Sequence, residues 1–148
     1  MREDAPVLHI GSDDIYITEC TFAVIEIKSN LTRTKLDEAE NTLTKVSNLN
    51  INVGAVISSG ATINRPLRIV FAYEGADWDT LLDEINNKGW ADLFDLICIL
   101  NKGVLIKKGR LINWEGNGEF SIINGKAASL GFLYFYLIFC GTSFLGRI

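Results

Sequence analysis

The alternation and periodicity of hydrophobic residues divide this chain into short strands and amphipathic helices. Apolar residues recur every three or four positions over residues 33–48 and again from Trp78 to Ile85, the spacing of one buried helix face. Threonine or aspartate precedes each helical segment, where such residues cap free amide groups. Short apolar runs between turn-forming residues predict strands. The predicted strands are residues 7–10, 15–17, 21–28, 67–73, 96–100 and 104–114, with turns at 11–14, 101–103 and 115–118.

The order of these elements predicts the fold class. After an N-terminal hairpin, the pattern runs strand, helix, strand, helix, strand, strand and helix. Such alternation is typical of an α/β domain in which helices cover a mixed sheet. The 148 residues have the length of one domain, which we assign to residues 1–148. A hydrophobic content of 48% excludes intrinsic disorder.

The last predicted helix is distinguished by the absence of charge throughout residues 127–146. By length alone this segment could span a bilayer. Glycine, threonine and serine lower its hydrophobicity, however, and its strongly apolar part, residues 130–140, has the length of a buried core helix. We therefore expect residues 127–146 to form a buried helix or an oligomer interface. A small membrane-anchored protein is the less favoured alternative.

Charge and cysteine usage narrow the class of protein. The net charge of −4 and the pI of about 5.0 disfavour a chain that binds nucleic acid through a generally basic surface. The three cysteines, Cys20, Cys98 and Cys140, lie in or beside apolar runs and form no CxxC motif. They therefore indicate buried free thiols in a reducing, cytoplasmic compartment. Residues 1–6 contain no apolar stretch, so no signal peptide is expected.

The sharpest chemical feature is the sequence Glu26-Ile27-Lys28. On a strand, Glu26 and Lys28 point to the same side. The Glu26 carboxylate and the backbone carbonyl of Ile27 offer oxygen ligands of the kind that Mg²⁺ prefers. Lys28 could then orient or deprotonate an attacking water, or stabilise the charge of a phosphorane. A Glu-x-Lys pair alone is also typical of a solvated strand edge or a cross-strand ion pair.

The residues around this pair resemble a known superfamily. The string ECTFAVIEIKS over residues 19–29, followed by Leu31-Thr32 and an amphipathic helix, resembles the PD-(D/E)XK nuclease-like superfamily. Within it, the string is similar to a bacterial and phage-type subgroup with the pattern vyAvIEvKs-Lt. The resemblance implies a restriction-endonuclease-like α/β fold: an αβββαβ core, a mixed sheet flanked by helices, and the Glu-x-Lys on the third core strand. It further implies Mg²⁺- or Mn²⁺-dependent hydrolysis of nucleic acid by Glu26 and Lys28, in a defence or mobile-element setting.

The chain departs from this superfamily upstream of the pair. The resemblance implies a metal-binding aspartate on the preceding strand, before a proline-containing loop, whereas here Ala5-Pro6 follows only four residues. We therefore expect a core shortened at its N-terminus or an inactive relative. Asp13 and Asp14 are the nearest carboxylates that could complete the metal site, and Glu19 could also contribute to it. Asp13 and Asp14 also fit a solvated turn, and Glu19 also fits a plain surface position.

Two hypotheses from different classes follow from these features. The first is a metal-dependent nuclease, in which a late basic group contacts phosphates rather than forming only a solvated face. The second is a noncatalytic binding or oligomerisation module of the same fold, with the apolar C-terminal segment packing between identical subunits. The basic group consists of Lys102, Lys107, Lys108 and Arg110.

Overall fold

The computed structural model describes residues 7–10, 13–16, 21–48, 66–108, 118–126 and 129–145. These residues form seven strands and three helices. In chain order they are β1 (Val7–Ile10), β2 (Asp13–Tyr16), β3 (Ala23–Leu31), α1 (Arg33–Ser47), β4 (Leu67–Gly75), α2 (Trp78–Lys88), β5 (Leu96–Ile99), β6 (Gly103–Lys107), β7 (Phe120–Asn124) and α3 (Ser129–Leu145).

Five of the strands form one mixed sheet in the order β3-β4-β5-β6-β7. β3, β4 and β5 are parallel, whereas β6 is antiparallel to both of its neighbours. α1 connects β3 to β4 and α2 connects β4 to β5, because parallel neighbours require a crossover. β1 and β2 pair with each other in a separate antiparallel sheet. Among the described strands, β3 is therefore an edge strand of the larger sheet.

Local sequence signals define the ends of α1 and α2. The Thr32 hydroxyl caps α1 by accepting a hydrogen bond from the Lys35 N–H at 3.3 Å. Asp77 stands at the N-cap of α2, where its carboxylate accepts a hydrogen bond from Lys102 Nζ at 2.9 Å. α2 ends at Lys88 and is capped by Gly89, whose φ of 68° lies in the left-handed region that favours glycine.

Hydrophobic residues are buried on both faces of the sheet. On one face, side chains of α1 and α2, among them Leu36 and Leu81, pack against sheet residues such as Ile97. On the other face, Tyr136 of α3 packs against residues such as Ile69. β4 and β5 bury side chains on both faces, which explains their almost continuous apolar sequences.

α3 combines a buried side with an exposed apolar side. Leu133 and Tyr136 are buried against the sheet. Its exposed large apolar residues are Leu130, Tyr134, Phe135 and Ile138, with exposed fractions of 54%, 67%, 58% and 45%. In the described part of the chain, no helix has the combined length and hydrophobicity that a bilayer span requires. Residues 129–145 of the expected segment form this helix, and its exposed apolar residues among positions 129–138 face outward.

The predicted α/β class is confirmed, and the two central helices begin and end close to the predicted positions. Three details differ. Asp13 and Asp14, expected in a turn, begin β2, where Asp14 stands opposite His9. The strand expected over residues 104–114 is shorter, because β6 ends at Lys107 and Lys108 is not part of it. The remaining residues of the expected strand lie outside the described residues. β7 is a strand that the pattern analysis did not assign.

Candidate active site

Glu26 and Lys28 lie together on edge strand β3, as their spacing predicts. Lys28 Nζ is 2.8 Å from Glu26 Oε1. Only 22% of the Glu26 side chain and 15% of the Lys28 side chain is exposed. Val24, on the same side of the strand, packs against the core under α1 and α2. The pair therefore lies at the helix-covered face of the sheet, at the margin of the hydrophobic core.

Glu38 of α1 joins this pair, although the sequence analysis did not single it out. Lys28 Nζ donates a hydrogen bond to Glu38 Oε2 at 3.2 Å. Lys35 Nζ approaches both oxygens of the Glu38 carboxylate, at 2.6 and 2.8 Å. Charges therefore alternate along a row of four side chains, which we call the β3–α1 charge row: Glu26, Lys28, Glu38 and Lys35. The three-residue spacing of Lys35 and Glu38 on one helix face was the available sequence signal.

Contacts within the charge row stabilise the charged forms of Lys28 and Glu38. The hydrogen bond to Glu26 is the main cause of the raised pKa of Lys28, and the Glu38 carboxylate adds to it. The hydrogen bond from Lys35, followed by that from Lys28, lowers the pKa of Glu38. Lys28 is therefore a protonated ammonium at neutral pH. In this arrangement it can donate hydrogen bonds to a developing negative charge, and it has no lone pair with which to remove a proton.

The oxygen donors near Glu26 match part of a metal site. The Glu26 carboxylate and the Ile27 carbonyl are adjacent on β3, and Mg²⁺ commonly uses one or two carboxylates with waters and substrate phosphates. Among the described residues, there is no group of three or more histidine, cysteine, aspartate and glutamate side chains able to hold a metal. Asp14 lies on β2, which does not belong to the larger sheet. Glu19 lies outside the described residues.

The structure separates the basic residues that were grouped by sequence. Lys102 precedes β6 and Lys107 ends it, so they lie at opposite ends of one strand. Lys102 Nζ donates hydrogen bonds to the carbonyls of Gly75 and Ala76 at 3.0 and 2.8 Å. Lys107 Nζ lies 2.7 Å from Glu119. Lys108 follows Lys107 directly, and Arg110 lies outside the described residues.

Comparisons with known proteins bear on this fold. No protein-family model matches the sequence, and no curated protein matches it. The chain is similar to solved structures of NucC. For the cAAA-bound form of Escherichia coli MS115-1 NucC, the TM-score is 0.64 at 19% identity, over 95% of this chain and 61% of NucC. For the cAAA-bound form of Pseudomonas aeruginosa ATCC27853 NucC, the TM-score is 0.65 at 19% identity, with the same coverage.

The apo form of E. coli MS115-1 NucC gives a TM-score of 0.65 at 17% identity, over 95% of this chain and 65% of that one. This chain thus spans less than two thirds of the length of these NucC chains. At this level of identity, the likeness establishes the fold. The mixed five-stranded sheet with its flanking helices is a restriction-endonuclease-like α/β fold.

Proposed function

We propose that this domain hydrolyses phosphodiester bonds of nucleic acid with the help of a divalent cation. The observation that carries the proposal is the Glu26–Lys28 pair, with 2.8 Å between Lys28 Nζ and Glu26 Oε1, on the edge strand of a restriction-endonuclease-like sheet. A carboxylate and an ammonium side by side supply a cation ligand and a fixed positive charge. Phosphodiester hydrolysis needs both, because negative charge develops on the phosphoryl oxygens.

The chemical roles follow from the side chains. Glu26 and the Ile27 carbonyl would hold Mg²⁺ or Mn²⁺, which when bound polarises the phosphoryl group and lowers the pKa of a bound water. Asp14 and Glu19 are the carboxylates that we propose as additional ligands of this cation. Lys28, whose ammonium also donates a hydrogen bond to Glu38, would donate hydrogen bonds to the phosphoryl oxygens. Electrostatic stabilisation by Lys28 requires no proton loss, and the role of general base stays the alternative.

Phosphate contacts away from the scissile bond are proposed for Lys107, Lys108 and Arg110. The two acidic groups that contact Lys107 are well exposed, with exposed fractions of 99% for the Asp92 side chain and 61% for the Glu119 side chain. The Lys107 side chain itself is only 14% exposed, so a phosphate would have to reach its ammonium from the side of these two carboxylates and replace them. Lys102 is the weaker choice because its ammonium donates hydrogen bonds to two backbone carbonyls.

Two further predictions from the sequence belong to this proposal: membership of the subgroup with the pattern vyAvIEvKs-Lt, and a cytoplasmic location.

A cleavage assay with matched charge variants tests the proposal. Glu26→Gln and Lys28→Met are compared with Asp83→Asn and Lys45→Met, which remove the same charges from exposed helix positions. Single- and double-stranded DNA and RNA are incubated with Mg²⁺ or Mn²⁺. Because the similar NucC structures include cAAA-bound forms, each reaction is run with and without cAAA. We expect cleavage by wild type and the two controls only. Equal cleavage by all five proteins, or none by wild type, contradicts the proposal.

A second candidate function is assembly of identical subunits through α3. The specific observation is its outward apolar side, where Leu130, Tyr134, Phe135 and Ile138 are 45–67% exposed on a helix without charged residues. An apolar surface of this kind typically marks an interaction site. Tyr134→Glu with Ile138→Glu should lower the molar mass measured by light scattering during gel filtration. Ile122→Glu, at a 40% exposed position on β7, is the control. An unchanged mass for the double variant rejects this interface.

A further inference from the structure

We propose that Glu38 is a positioning residue that keeps the Lys28 ammonium in place when a divalent cation occupies Glu26. The inference rests on the proposed function and adds a residue from another element to the same site. Its basis is the shared contact of Lys28 Nζ with two carboxylates, at 2.8 Å from Glu26 and 3.2 Å from Glu38. The two carboxylates come from different elements, β3 and α1. Glu38 can therefore keep its contact with Lys28 when Glu26 binds a cation instead.

A cation at Glu26 changes the electrostatics of Lys28. A divalent ion on the Glu26 carboxylate weakens the attraction that holds the ammonium there and repels it directly, since like charges at short range disfavour each other. With no second carboxylate, the flexible lysine side chain would turn toward solvent. Glu38 already contacts Lys28, so the ammonium can shift toward it and stay beside the phosphoryl group.

Glu38 is itself held in a defined position. The Thr32 cap fixes the first turn of α1. Leu36 and Ala39 on either side of Glu38 are fully buried. The ammonium of Lys35 contacts both Glu38 oxygens at 2.6 and 2.8 Å. The helix therefore fixes where the Glu38 backbone lies, and Lys35 orients its carboxylate, although both side chains are about half exposed.

A metal-free comparison isolates the positioning role. Glu26→Gln removes the charge that a bound cation would neutralise, and leaves Glu38 as the charged partner of Lys28 within the charge row. NMR relaxation then measures the order parameter of the Lys28 ammonium, which reports its mobility. We expect the order to persist in Glu26→Gln and to fall to the level of exposed Lys45 in Glu26→Gln with Glu38→Gln. Asp37→Asn in place of Glu38→Gln is the matched control, because the neighbouring Asp37 contacts Lys88.

Cation binding and cleavage complete the test. In Glu38→Gln, Mn²⁺ affinity should stay within about twofold of wild type, because the lost group is an exposed ion-pair partner and no ligand. The maximal cleavage rate should fall, and Glu38→Asp should restore part of it. A loss of Mn²⁺ affinity as large as that of Glu26→Gln would make Glu38 a ligand and overturn the inference, as would an unchanged Lys28 order parameter in the double variant. If the order parameter behaves as expected but wild type cleaves nothing, the positioning contact stands and the proposed hydrolysis fails.

Discussion

Asp95 and Arg68 exchange two hydrogen bonds across the start of parallel strands β4 and β5. The Asp95 carboxylate accepts from the Arg68 backbone N–H at 2.8 Å, and the Asp95 N–H donates to the Arg68 carbonyl at 2.9 Å. The Arg68 guanidinium lies 3.7 Å from the same carboxylate and also donates to the Ser47 hydroxyl and the Asp92 carbonyl. This buried polar group joins the two strands to the end of α1.

The first prediction concerns this buried pair. Asp95→Ala should lower the free energy of unfolding by roughly 3–5 kcal/mol, because it leaves the Arg68 charge buried without its carboxylate. Urea unfolding followed by circular dichroism measures the change. Asp92→Ala is the control, since the Asp92 side chain is almost fully exposed and should change stability by less than about 1 kcal/mol. Equal losses in the two variants would refute a special role for Asp95.

The second prediction separates stability from nucleic-acid affinity at Lys102. Lys102→Met should destabilise the domain by roughly 1–3 kcal/mol, because the Gly75 and Ala76 carbonyls and the Asp77 carboxylate lose a charged donor. Its affinity for nucleic acid, measured by fluorescence anisotropy, should equal that of wild type. Lys108→Met should instead weaken the affinity. Weaker binding by Lys102→Met alone would reverse this assignment.

The third prediction concerns Gly103, the first residue of β6. Its φ of 148° is strained for other residues, and a Cβ there would collide with the Ile123 carbonyl oxygen of β7. Gly103→Ala should therefore cost at least about 2 kcal/mol, because β6 and β7 would have to separate. Gly89→Ala, where φ is also positive but the space is open, should cost only about 1 kcal/mol. Thermal melting of the two variants provides the comparison, and similar melting temperatures would contradict it.

The fourth prediction concerns the reactivity of Cys98, which is fully buried under α3. Burial raises the pKa of the thiol to about 11 from 9.0. At pH 8 its thiolate fraction is then about a hundredfold below that of an ordinary thiol. In a Cys20→Ser, Cys140→Ser background, iodoacetamide should alkylate Cys98 at least that much more slowly in the folded than in the urea-unfolded protein, as measured by mass spectrometry. Comparable rates would show that the site opens readily.

The same thiol makes stability depend on alkaline pH. Well below pH 9 the thiol is neutral in both states, so its contribution to stability is fully present. Between about pH 9 and 11 the unfolded thiol ionises while the folded one does not, and stability falls as pH rises. Urea unfolding at pH 7, 9 and 10 should show this fall. Cys98→Ala should show a smaller fall, and parallel curves for the two proteins would contradict the assignment.

The sequence was sufficient for the central elements of the fold because their signals are local. The apolar stripe of α1, its Thr32 cap and the Gly89 terminus of α2 depend on neighbours within a turn of helix. β7 was missed because its residues, FSIIN, are few and only partly buried. What makes them a strand is pairing with β6, a tertiary interaction that local pattern does not encode.

The candidate site was predictable in part for a similar reason. Strand alternation alone places Glu26 beside Lys28. The sequence did not predict a role for Glu38, because its contact with Lys28 depends on how α1 packs against β3. The grouping of Lys102 with Lys107 treated closeness in sequence as closeness in space, whereas an extended strand separates them. Asp14 was expected in a turn because glycine and aspartate favour turns, yet its pairing with His9 extends β2 toward the turn.

The strand order also bears on how the domain folds. β5, β6 and β7 follow one another in the chain and pair in that order. At one turn, for example, Ile99 pairs with Gly103, so these pairings close only short loops. β3 pairs with β4, Ala23 against Leu67, only by closing a much longer stretch of chain that includes the whole of α1. Since long loops close at greater entropic cost, we expect β3 to dock late during folding and to exchange its amide hydrogens soonest. The strand that carries the proposed chemistry would then be the most easily released part of the sheet.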